Sequence, residues 1–470
     1  MSLTFPVTGG SLWKKTPGGG ITPKNGRSVV ISDTDPTAWR GGIVYDQDGD
    51  SYYRIGDLAG LSVGQTYPDE LLPIHANMRR CVMSDAGVVQ YYLDPDDSTK
   101  KADGSAANID GTDGQVMVEI PKFYYRYAAL SAAHLWEISD KPISGFSVHP
   151  AFVKAGVEVD YRYIGAYEGY NDSGELSSIS GVLPTVSQTR PTFRTQAEAR
   201  GAGWHQMDFY LTSAIQLLYL VEYGDFDSQA MIGEGVTDYE AWPGSPQALT
   251  GNTNSLGNAT GNLTLAVDKW NATTAYEVGD ECMPDAAANN YTYRCTVAGT
   301  SDGTEPTWPT TIGNTVVDGT VTWECVRHSG YMAYRGIENW YGHIWKFIDG
   351  INVHNSAANG SRAYAAQDYT DFADDTDTGY TLITSDLAQA DGYAREIAAI
   401  EDGFLPSSVS GGSSSTGLAD YYYTYFDNDP ESGWRVCLLG GSAHYGAAAG
   451  AFDWHSSYAS SLAHSAVGGR

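Results

Sequence analysis

Basic residues are scarce in this chain. Only 27 Lys and Arg accompany 57 Asp and Glu among 470 residues, which gives a formal net charge of −30. Affinity for phosphate depends on clustered Lys and Arg, so this balance argues against a nucleic-acid-binding protein and against docking onto anionic lipid. We therefore expect no nucleic-acid partner and no membrane insertion. A strong negative charge suits a soluble component of a larger particle, because it suppresses self-association.

Cysteine is also scarce, and the sequence shows no spacing typical of a zinc site or of a disulfide framework. An odd number of scattered cysteines indicates folding in a reducing cytosol. Cys295 and Cys325 could form a disulfide, but their spacing does not establish one, and cytosolic assembly argues against it. The cysteines are Cys81, Cys282, Cys295, Cys325 and Cys437.

Long apolar segments are missing. The N-terminal residues MSLTFPVTGGSLWKK lack the charged and apolar regions of a signal peptide. The most apolar stretch, Leu211 to Val221, is too short to span a bilayer and is flanked by Asp208 and Glu222. We expect a soluble chain that is made in a cytoplasm.

Catalytic motifs are missing as well. The sequence contains no GxSxG elbow with partners in the expected order, no HExxH and no GxxxxGK[ST]. His343 stands alone among bulky aromatic residues, which favours a hydrogen-bonded core residue over a metal ligand. Paired carboxylates stay open, because many acidic residues supply candidates. We expect no enzyme, no catalytic residue, no cofactor and no metal site.

Glycine and tyrosine are abundant instead, with 54 and 33 residues, which indicates a turn-rich and sheet-rich architecture. The length predicts two to four domains. Turn signals at 18–20, 33–36, 46–50 and 94–97 divide short strands. Two buried helices are predicted between Thr192 and Gly224, the second ending at Gly224.

The many short strand-like runs, the turn signals and the two helical segments together predict a β-rich α+β protein. The segment 265–328 differs from its surroundings, being a run of short strands divided by Thr, Gly, Asn and Pro turns. The predicted regions are an N-terminal β-rich region for attachment or trimer contacts (1–115), the first part of a larger domain (116–264), an inserted small β-module (265–328) and the second part of the larger domain (329–470).

Several phrases outside the module resemble one family of phage and prophage tail proteins, and the fifth is the most specific. They are GQVMVEIPKFYYRY (114–127), GFSVHPAF (145–152), YIGAYEG (163–169), SAIQLLYLVEYGDFDSQ (213–229), YRGIENWYGHIWKFIDGIN (334–352) and WRVCLLGGS (434–442). The family resembles the C-type-lectin or formylglycine-generating-enzyme fold. That fold also carries the variable proteins of diversity-generating retroelements, such as the phage major tropism determinant, a trimeric receptor binder.

This resemblance implies a C-type-lectin-like domain, a homotrimer, other phage tail proteins as partners and a place in the virion tail fibre, reached from the host cytoplasm. The enzymes of the parent fold need a redox-active pair of cysteines, and no second cysteine lies near Cys437 in the sequence. The resemblance therefore implies binding of a host cell-surface protein or glycan receptor.

The terminal segment 440–470 has an unusual composition. From Ser442 to Arg470 it contains no Lys, Glu, Gln or Met but three of the chain's ten histidines, in a frame of Ala, Gly and Ser. A retroelement that randomises the first two adenines of AAY codons generates Tyr, His, Asp, Ser, Ala, Gly or Leu, and it cannot generate Lys, Glu, Gln or Met. Tyr and His also suit an adaptable binding surface.

Aligned with the family pattern, this segment divides into a scaffold and varied, solvent-facing positions that bind ligand. The alternative is that the segment is an ordinary Gly- and Ala-rich part of a core. The predicted ligand-binding residues are Ala443, His444, Tyr445, Asp453, His455, Ser457, Tyr458, Leu462, His464 and Ala466. The predicted scaffold residues are Gly440, Gly441, Phe452, Trp454 and Val467.

Two further motifs have competing interpretations. Asp46, Asp48, Asp50 and Asp57 occupy positions one, three, five and twelve of a loop like that of an EF-hand, but Gly49 lies at position four, and a solvated acidic turn is favoured. In the β-module, aromatic residues at strand spacing are more often core than sugar-binding. They are Trp308, Trp323, Tyr291 and Tyr293.

The sequence thus predicts a phage tail-fibre receptor-binding protein. Two alternatives stay open: a tail-associated enzyme that depolymerises glycan, and a purely structural fibre protein.

Overall fold

The computed structural model describes residues 37–470 except 131, 240–243, 245, 247, 264–266, 287–288, 290, 312, 329, 357–358 and 425–432, together with two short strands nearer the N-terminus. The predicted turns at 18–20 and 33–36 lie outside the described residues.

The described residues are β-rich with few helices, which confirms the predicted β-rich class. The strands, in chain order, are β1 Trp13–Lys15, β2 Ile21–Pro23, β3 Arg40–Asp46, β4 Ser51–Gly56, β5 Arg79–Met83, β6 Val89–Tyr92, β7 Gln115–Pro121, β8 Tyr124–Leu130, β9 Ala133–Ser139, β10 Ser147–Val148, β11 Val153–Lys154, β12 Val157–Glu158, β13 Tyr161–Gly165, β14 Tyr170–Asp172, β15 Glu175–Ser177, β16 Gly261–Leu263, β17 Ala275–Tyr276, β18 Glu281–Cys282, β19 Tyr291–Val297, β20 Gly299–Thr300, β21 Thr315–Asp318, β22 Val321–His328, β23 Tyr331–Tyr334, β24 Ile337–Glu338, β25 Trp345–Ser356, β26 Gly360–Ala365, β27 Thr381–Thr384, β28 Gly392–Tyr393, β29 Glu396–Ile397, β30 Pro406–Ser408, β31 Tyr421–Thr424, β32 Gly433–Leu439, β33 Trp454–Ser456 and β34 Val467–Gly468.

The α-helices of the described residues are α1 Arg190–Ala199, α2 Phe209–Tyr223 and α3 Ser228–Ile232. Helix α2 begins where the Asp208 carboxylate accepts a hydrogen bond from the Leu211 amide at 2.8 Å. It ends at Gly224, whose φ of 70° is the left-handed conformation that glycine adopts without strain. Both predicted helices and the predicted stop at Gly224 are confirmed. Every residue of α2 is buried, whereas α1 buries one face only, so the predicted burial holds fully for α2 alone. Among the described helices, none has both the length and the apolarity that crossing a bilayer requires.

Two sheets organise the first half of the described chain. The strand orders are β10-β8-β9-β3-β4 in one and β13-β7-β5-β6 in the other. Strands from before residue 115 therefore pair with strands from after it, for example β3 with β9. A division after residue 115 does not separate these sheets, and side chains from both parts enter one hydrophobic core.

An eight-stranded sheet organises the second half, in the order β27-β26-β25-β32-β33-β31-β28 with β34 beside β25. Side chains alternate between its two faces, as strand geometry requires. On one face Cys437 and Leu439 enter the main core with α2. On the other, Val436 and Leu438 pack with Phe193 of α1.

The strands between residues 275 and 328 pair only with one another among the described residues. Their main sheet has the order β18-β19-β22-β21. This small β-module has a hydrophobic core of its own, formed by Trp270, Cys282, Tyr293, Cys295, Val321, Trp323 and Cys325. The flanking strands β16 and β23 are antiparallel neighbours, so the chain leaves and re-enters the larger body side by side.

The acidic motif at residues 46–57 forms a β-hairpin. Strands β3 and β4 pair from Asp46 opposite Ser51 to Gly41 opposite Gly56. Asp57 therefore lies beyond the far end of the hairpin, about 20 Å from the turn at 3.3 Å per residue. There its carboxylate accepts a hydrogen bond from the Arg40 amide at 2.9 Å. An EF-hand ligand set is excluded by this topology, and the acidic-turn interpretation holds.

Candidate ligand-binding face

A row of tyrosines lies at one end of the eight-stranded sheet. In β31, Tyr421 and Tyr423 are half-buried on one face, whereas Tyr422 is buried on the other. The Tyr422 hydroxyl lies 2.7 Å from the Ser456 hydroxyl. The period of two therefore sorts three consecutive tyrosines, so that two face outward and one enters the core.

His455 continues this row on the neighbouring strand. It lies opposite Tyr423 of β31 and opposite Leu438 of β32. Its imidazole is stacked between the rings of Tyr423 and Tyr458, with centroids at 4.7 and 4.5 Å. The two rings cover it so well that only 5% of His455 is exposed. Burial lowers the pKa of this imidazole to about 3, so the side chain is neutral at physiological pH.

Trp345 supports the row from below. The indole is 3% exposed and meets Tyr445 edge to face, with ring centroids 5.1 Å apart. It makes the same kind of contact with Tyr423 at 6.0 Å and with His455 at 5.2 Å. We call the resulting surface the aromatic face. Its members, each in ring contact with another, are Tyr393, Tyr421, Tyr423, His444, Tyr445, His455 and Tyr458.

The chain that carries much of this face is fixed at its start. The Ala443 amide donates to the His343 carbonyl at 3.0 Å, and the Ala443 carbonyl accepts from the Tyr239 amide at 2.6 Å. Gly441 has a φ of 74°, and a Cβ there would lie 2.4 Å from the Cβ of Ala449. Only glycine fits this position.

The same chain is fixed again at its end. A Cβ on Gly469 would lie 2.8 Å from the Phe193 ring. Beyond it, Arg470 is buried, and its guanidinium donates to the backbone carbonyls of Gly165 at 2.8 Å and Ala166 at 3.2 Å, and also to those of Glu338 and Asn339. Residues 444–465 are therefore held between two anchors in the core.

The structure places six of the ten predicted ligand-binding residues at the surface. Tyr458 and His464 are exposed, and the other four are half-buried: His444, Tyr445, Ser457 and Leu462. All five predicted scaffold residues, Gly440, Gly441, Phe452, Trp454 and Val467, are buried, which confirms their predicted burial.

The prediction of solvent exposure is wrong for the other four residues, Ala443, Asp453, His455 and Ala466. Ala443 and Ala466 belong to the anchors, since the Ala466 carbonyl accepts from the Trp345 amide at 2.8 Å. The Asp453 carbonyl accepts from the Gly440 amide at 2.9 Å, which draws that residue inward. His455 is covered by the tyrosines on either side. Composition distinguishes exposed from buried positions poorly in this segment, because small residues such as alanine occur at both.

Asp453 is an unusual buried acid. It is fully buried, and neither oxygen of its carboxyl group has a hydrogen-bond partner. Burial and the nearby Asp420 raise its pKa well above the ordinary value. Both causes favour the neutral form of the carboxyl group beneath the face.

The aromatic face carries little charge. Between Ser442 and Gly469 the sequence has no Lys or Arg. Burial, with His464 nearby, lowers the pKa of His444, and burial lowers that of His455, so these two imidazoles add little positive charge at neutral pH. In a chain of net charge −30, such a surface offers nothing to attract anions. It suits uncharged partners that stack on rings and exchange hydrogen bonds with hydroxyl and imidazole groups.

Sequence reasoning missed four residues of this site: Tyr393, Tyr421, Tyr423 and Trp345. The phrase YYYT at 421–424 contained a usable signal, since alternation in a strand sends its first and third residues to one face. The contact with residues 445–458 came from tertiary structure, because β31 lies beside β33 across a long stretch of chain.

The aromatic residues of the β-module are mostly core. The indole N–H groups of Trp270 and Trp323 both donate to the Asp318 carboxylate, at 2.7 and 3.0 Å. Trp323 and Tyr293 are 0% exposed, so neither can stack on a sugar, whereas Trp308 and Tyr291 are half-buried. Cys295 and Cys325 are not bonded to each other.

His343 is a buried, hydrogen-bonded residue, as predicted. Its Nδ1 lies 2.5 Å from a Glu168 carboxylate oxygen, and its Nε2 accepts from the Ala248 amide at 3.3 Å. Over the described part of the chain, no group of three or more His, Cys, Asp or Glu side chains is arranged to hold a metal ion.

A cavity of about 520 Å³ lies elsewhere, beside the start of α2. Phe209, Tyr210 and Ile400 line its apolar part, and Glu401 and Asp402 are among its carboxylates. Burial raises the pKa of Asp402 to about 6, and the Tyr125 hydroxyl donates to this carboxyl group. A carboxylic acid with such a pKa can act as a general acid near neutral pH.

No model of a known protein family matches this chain, and no curated protein matches it.

Proposed function

We propose that this chain is a phage tail-fibre receptor-binding protein with a C-type-lectin-like domain, and that the aromatic face contacts a ligand on the host surface. It would act as a homotrimer in the virion, alongside other tail proteins. The main supporting observation is the arrangement of residues 444–465 between two buried anchors, where 444–448 and 457–465 are exposed or half-buried.

This arrangement separates recognition from folding. Tyr458 and His464 are exposed and do not belong to either anchor. Substitutions at such surface positions usually change stability by no more than about 0.5 kcal/mol. Specificity can therefore change while the frame is retained, which is what a diversified receptor binder requires.

The chemistry of the face also fits recognition. Tyr and His present flat rings with polar edges and few rotatable bonds, so binding costs little conformational entropy. Individual contacts of this kind are weak, and several copies on one particle raise the effective affinity through avidity.

One observation favours a second candidate function, depolymerisation of a host glycan. The cavity of about 520 Å³ is of a size typical for small-molecule sites and contains Asp402, whose pKa of about 6 suits a general acid. Glu401 supplies a second carboxylate in the same cavity. Reducing ends released from purified host polysaccharide by the wild type, and lost in Asp402→Asn, would establish this activity.

Adsorption tests the receptor-binding proposal. Purified full-length chain is titrated onto bacterial cells and onto arrays of surface glycans and outer-membrane proteins. We expect Tyr458→Ala combined with His444→Ala to weaken binding at least tenfold, since each substitution removes a ring of the face. Tyr124→Ala, which removes a half-buried tyrosine from the five-stranded sheet, is the matched control. Unchanged adsorption in the double variant would favour a purely structural fibre protein.

The diversification part of the proposal has a separate test in the surrounding DNA. A near-repeat of the region encoding residues 440–470, differing only at adenines and lying beside a reverse-transcriptase gene, is the expected finding. Without such a repeat the face would be a fixed binding surface.

A further inference from the structure

A second cavity combines aromatic walls with an unpaired ammonium group. It has a volume of about 220 Å³ and lies on the four-stranded sheet, away from the aromatic face. Met83, Met117 and Val159 form its apolar lining, and Tyr161, Tyr163 and Trp204 form its aromatic walls. Lys154, Arg162 and His205 also line it.

Lys154 is held by a neutral imidazole. The Nδ1 of His205 lies 2.8 Å from the Gln206 carbonyl, so that nitrogen carries the proton and donates it. The Nε2 is then bare and accepts a hydrogen bond from the Lys154 ammonium group at 2.7 Å. The imidazole is itself fixed by stacking on Tyr369, with centroids 5.2 Å apart. Burial lowers the pKa of His205 to about 3, so it stays neutral.

Among the described residues, no carboxylate lies within the 4.0 Å of an ion pair from the Lys154 ammonium group, and Asp208 and Asp368 attract it only from farther away. The neighbouring Arg162 is neutralised by Asp208, whose carboxylate lies 2.5 Å away. The ammonium group has three N–H bonds, and His205 uses one of them. The ammonium nitrogen also lies 5.2 Å from the centroid of the Tyr369 ring, and burial lowers the pKa of Lys154 to about 8. Two N–H donors remain for a ligand, and a carboxylate there would stabilise the charged form.

We propose that this cavity binds a six-membered ring that bears a single carboxylate, with the carboxylate on Lys154 and the ring against Tyr161 and Trp204. The site lies apart from the aromatic face, so this proposal and the receptor-binding proposal can be tested independently.

Size and charge narrow the ligand class. A volume of 220 Å³ lies below the roughly 300–1,000 Å³ of ordinary small-molecule sites, so the cavity admits one ring and excludes an oligosaccharide body. One unpaired cation matches one carboxylate, whereas a phosphate carries more charge than the site balances and needs more donors. Tyr161 is 45% exposed at the entrance, where its ring is free to cover a bound one.

Two sources share this chemistry: a uronic acid of a surface glycan and an aromatic acid. Titration calorimetry on the full-length chain uses glucuronate, benzoate and the uncharged analogue glucose as probes. We expect at least one carboxylate to bind, and glucose to bind roughly tenfold more weakly than glucuronate if a sugar is the source, since a charge-assisted hydrogen bond is lost. Tighter binding of glucuronate identifies the sugar source, and tighter binding of benzoate identifies the aromatic acid.

Variants assign the binding to this cavity. Lys154→Gln should weaken binding of the carboxylate roughly tenfold, and Lys154→Arg, which keeps the charge, should retain most of it. Tyr161→Ala should weaken it severalfold without affecting the fold, because this side chain is exposed. Lys141→Gln, which removes the same charge at a lysine bonded to Thr37, should leave it unchanged. Failure of both carboxylates to bind, or binding to Lys154→Gln as tight as to the wild type, would overturn the proposal.

Discussion

Two aromatic clusters in this molecule are similar in composition but differ in surroundings. In the β-module, Trp270, Tyr293 and Trp323 are enclosed on all sides, and the indole N–H groups of both tryptophans are satisfied internally by Asp318. On the aromatic face, Tyr458 is exposed and Tyr423 is half-buried, so each ring stacks on His455 and still leaves part of its surface to solvent.

The difference shows how one residue type serves two purposes. Rings enclosed on both sides contribute to folding through buried area and satisfied polar groups. Rings that are only partly covered are oriented by their neighbours and still have surface available for a ligand. The aromatic face should therefore depend for its stability on the anchors around it, and the β-module on its own rings.

The largest expected effect is in the β-module. Trp323→Ala should lower the free energy of unfolding of the module by about 3–5 kcal/mol, because it leaves a large cavity and removes one of the donors to the Asp318 carboxylate. Urea unfolding followed by tryptophan fluorescence, with limited proteolysis to locate the change, provides the measurement. Trp308→Ala is the control and should cost less, since that ring is half-buried. Equal losses in the two variants would contradict the description of an enclosed core.

The next effect concerns the anchor at the end of the terminal segment. Arg470→Ala should cost about 3 kcal/mol, since it removes the guanidinium group that donates to four backbone carbonyls in the core. Thermal and urea unfolding of the full chain measure it. Arg470→Lys should recover only part of the loss, because an ammonium group cannot reach all four acceptors. If Arg470→Ala matched the wild type in stability, the face would not depend on this anchor.

A smaller effect, an increase in the free energy of unfolding, is expected for a substitution of Asp453 beneath the aromatic face. The pKa of Asp453 is raised in the folded state, so its contribution to stability is fully present below the unfolded pKa of about 4 and is lost as the pH rises through the folded pKa. Asp453→Asn cannot ionise. It should be more stable than the wild type at high pH, on the order of 1 kcal/mol, and the difference should vanish as the pH falls towards 4.

Unfolding curves from pH 4 to 9 check this prediction, with Asp377→Asn, at an exposed aspartate, as the control. A pH-independent difference between Asp453→Asn and the wild type would show that packing, and not ionisation, is responsible.

The smallest effect on stability is expected on the aromatic face itself. Tyr458 is 38% exposed, so Tyr458→Ala should change the free energy of unfolding by less than about 1 kcal/mol, mainly through lost stacking on His455. The same variant should respond strongly in the adsorption assay. A loss as large as that of Trp323→Ala would mean that the face is part of a core, and the comparison between the two clusters would fail.

Much of the fold could be predicted from local patterns in the sequence. Helix α2 was predictable because apolar residues occupy nearly every face of its sequence and Gly224 supplies the stop. The five scaffold residues of the terminal segment were predictable because large apolar residues and paired glycines there have few alternatives to burial. The acidic hairpin was predictable as a turn from its Asp and Gly residues.

The errors have a common physical cause. Ala443 and Ala466 were assigned to the surface and are anchors, because an alanine fits equally well inside and outside, and only its backbone partners decide. His455 was assigned to solvent and is covered by Tyr423, a residue of another strand. The predicted division after residue 115 overlooked that β3 and β5 find their partners further along the chain.

The sequence by itself determined the end of helix α2 at Gly224 and the scarcity of charge in the terminal segment. It also determined the period of the strands and the burial of the paired glycines and large apolar residues of that segment. These depend on neighbouring residues, which the chain order specifies directly. The tertiary structure alone decided that β31 lies beside β33, that Arg470 reaches carbonyls of distant residues, and that Lys154 meets His205 with no carboxylate of the described residues within ion-pair distance. Such pairings depend on side chains far apart in the sequence, and only the packing of the whole chain brings them together.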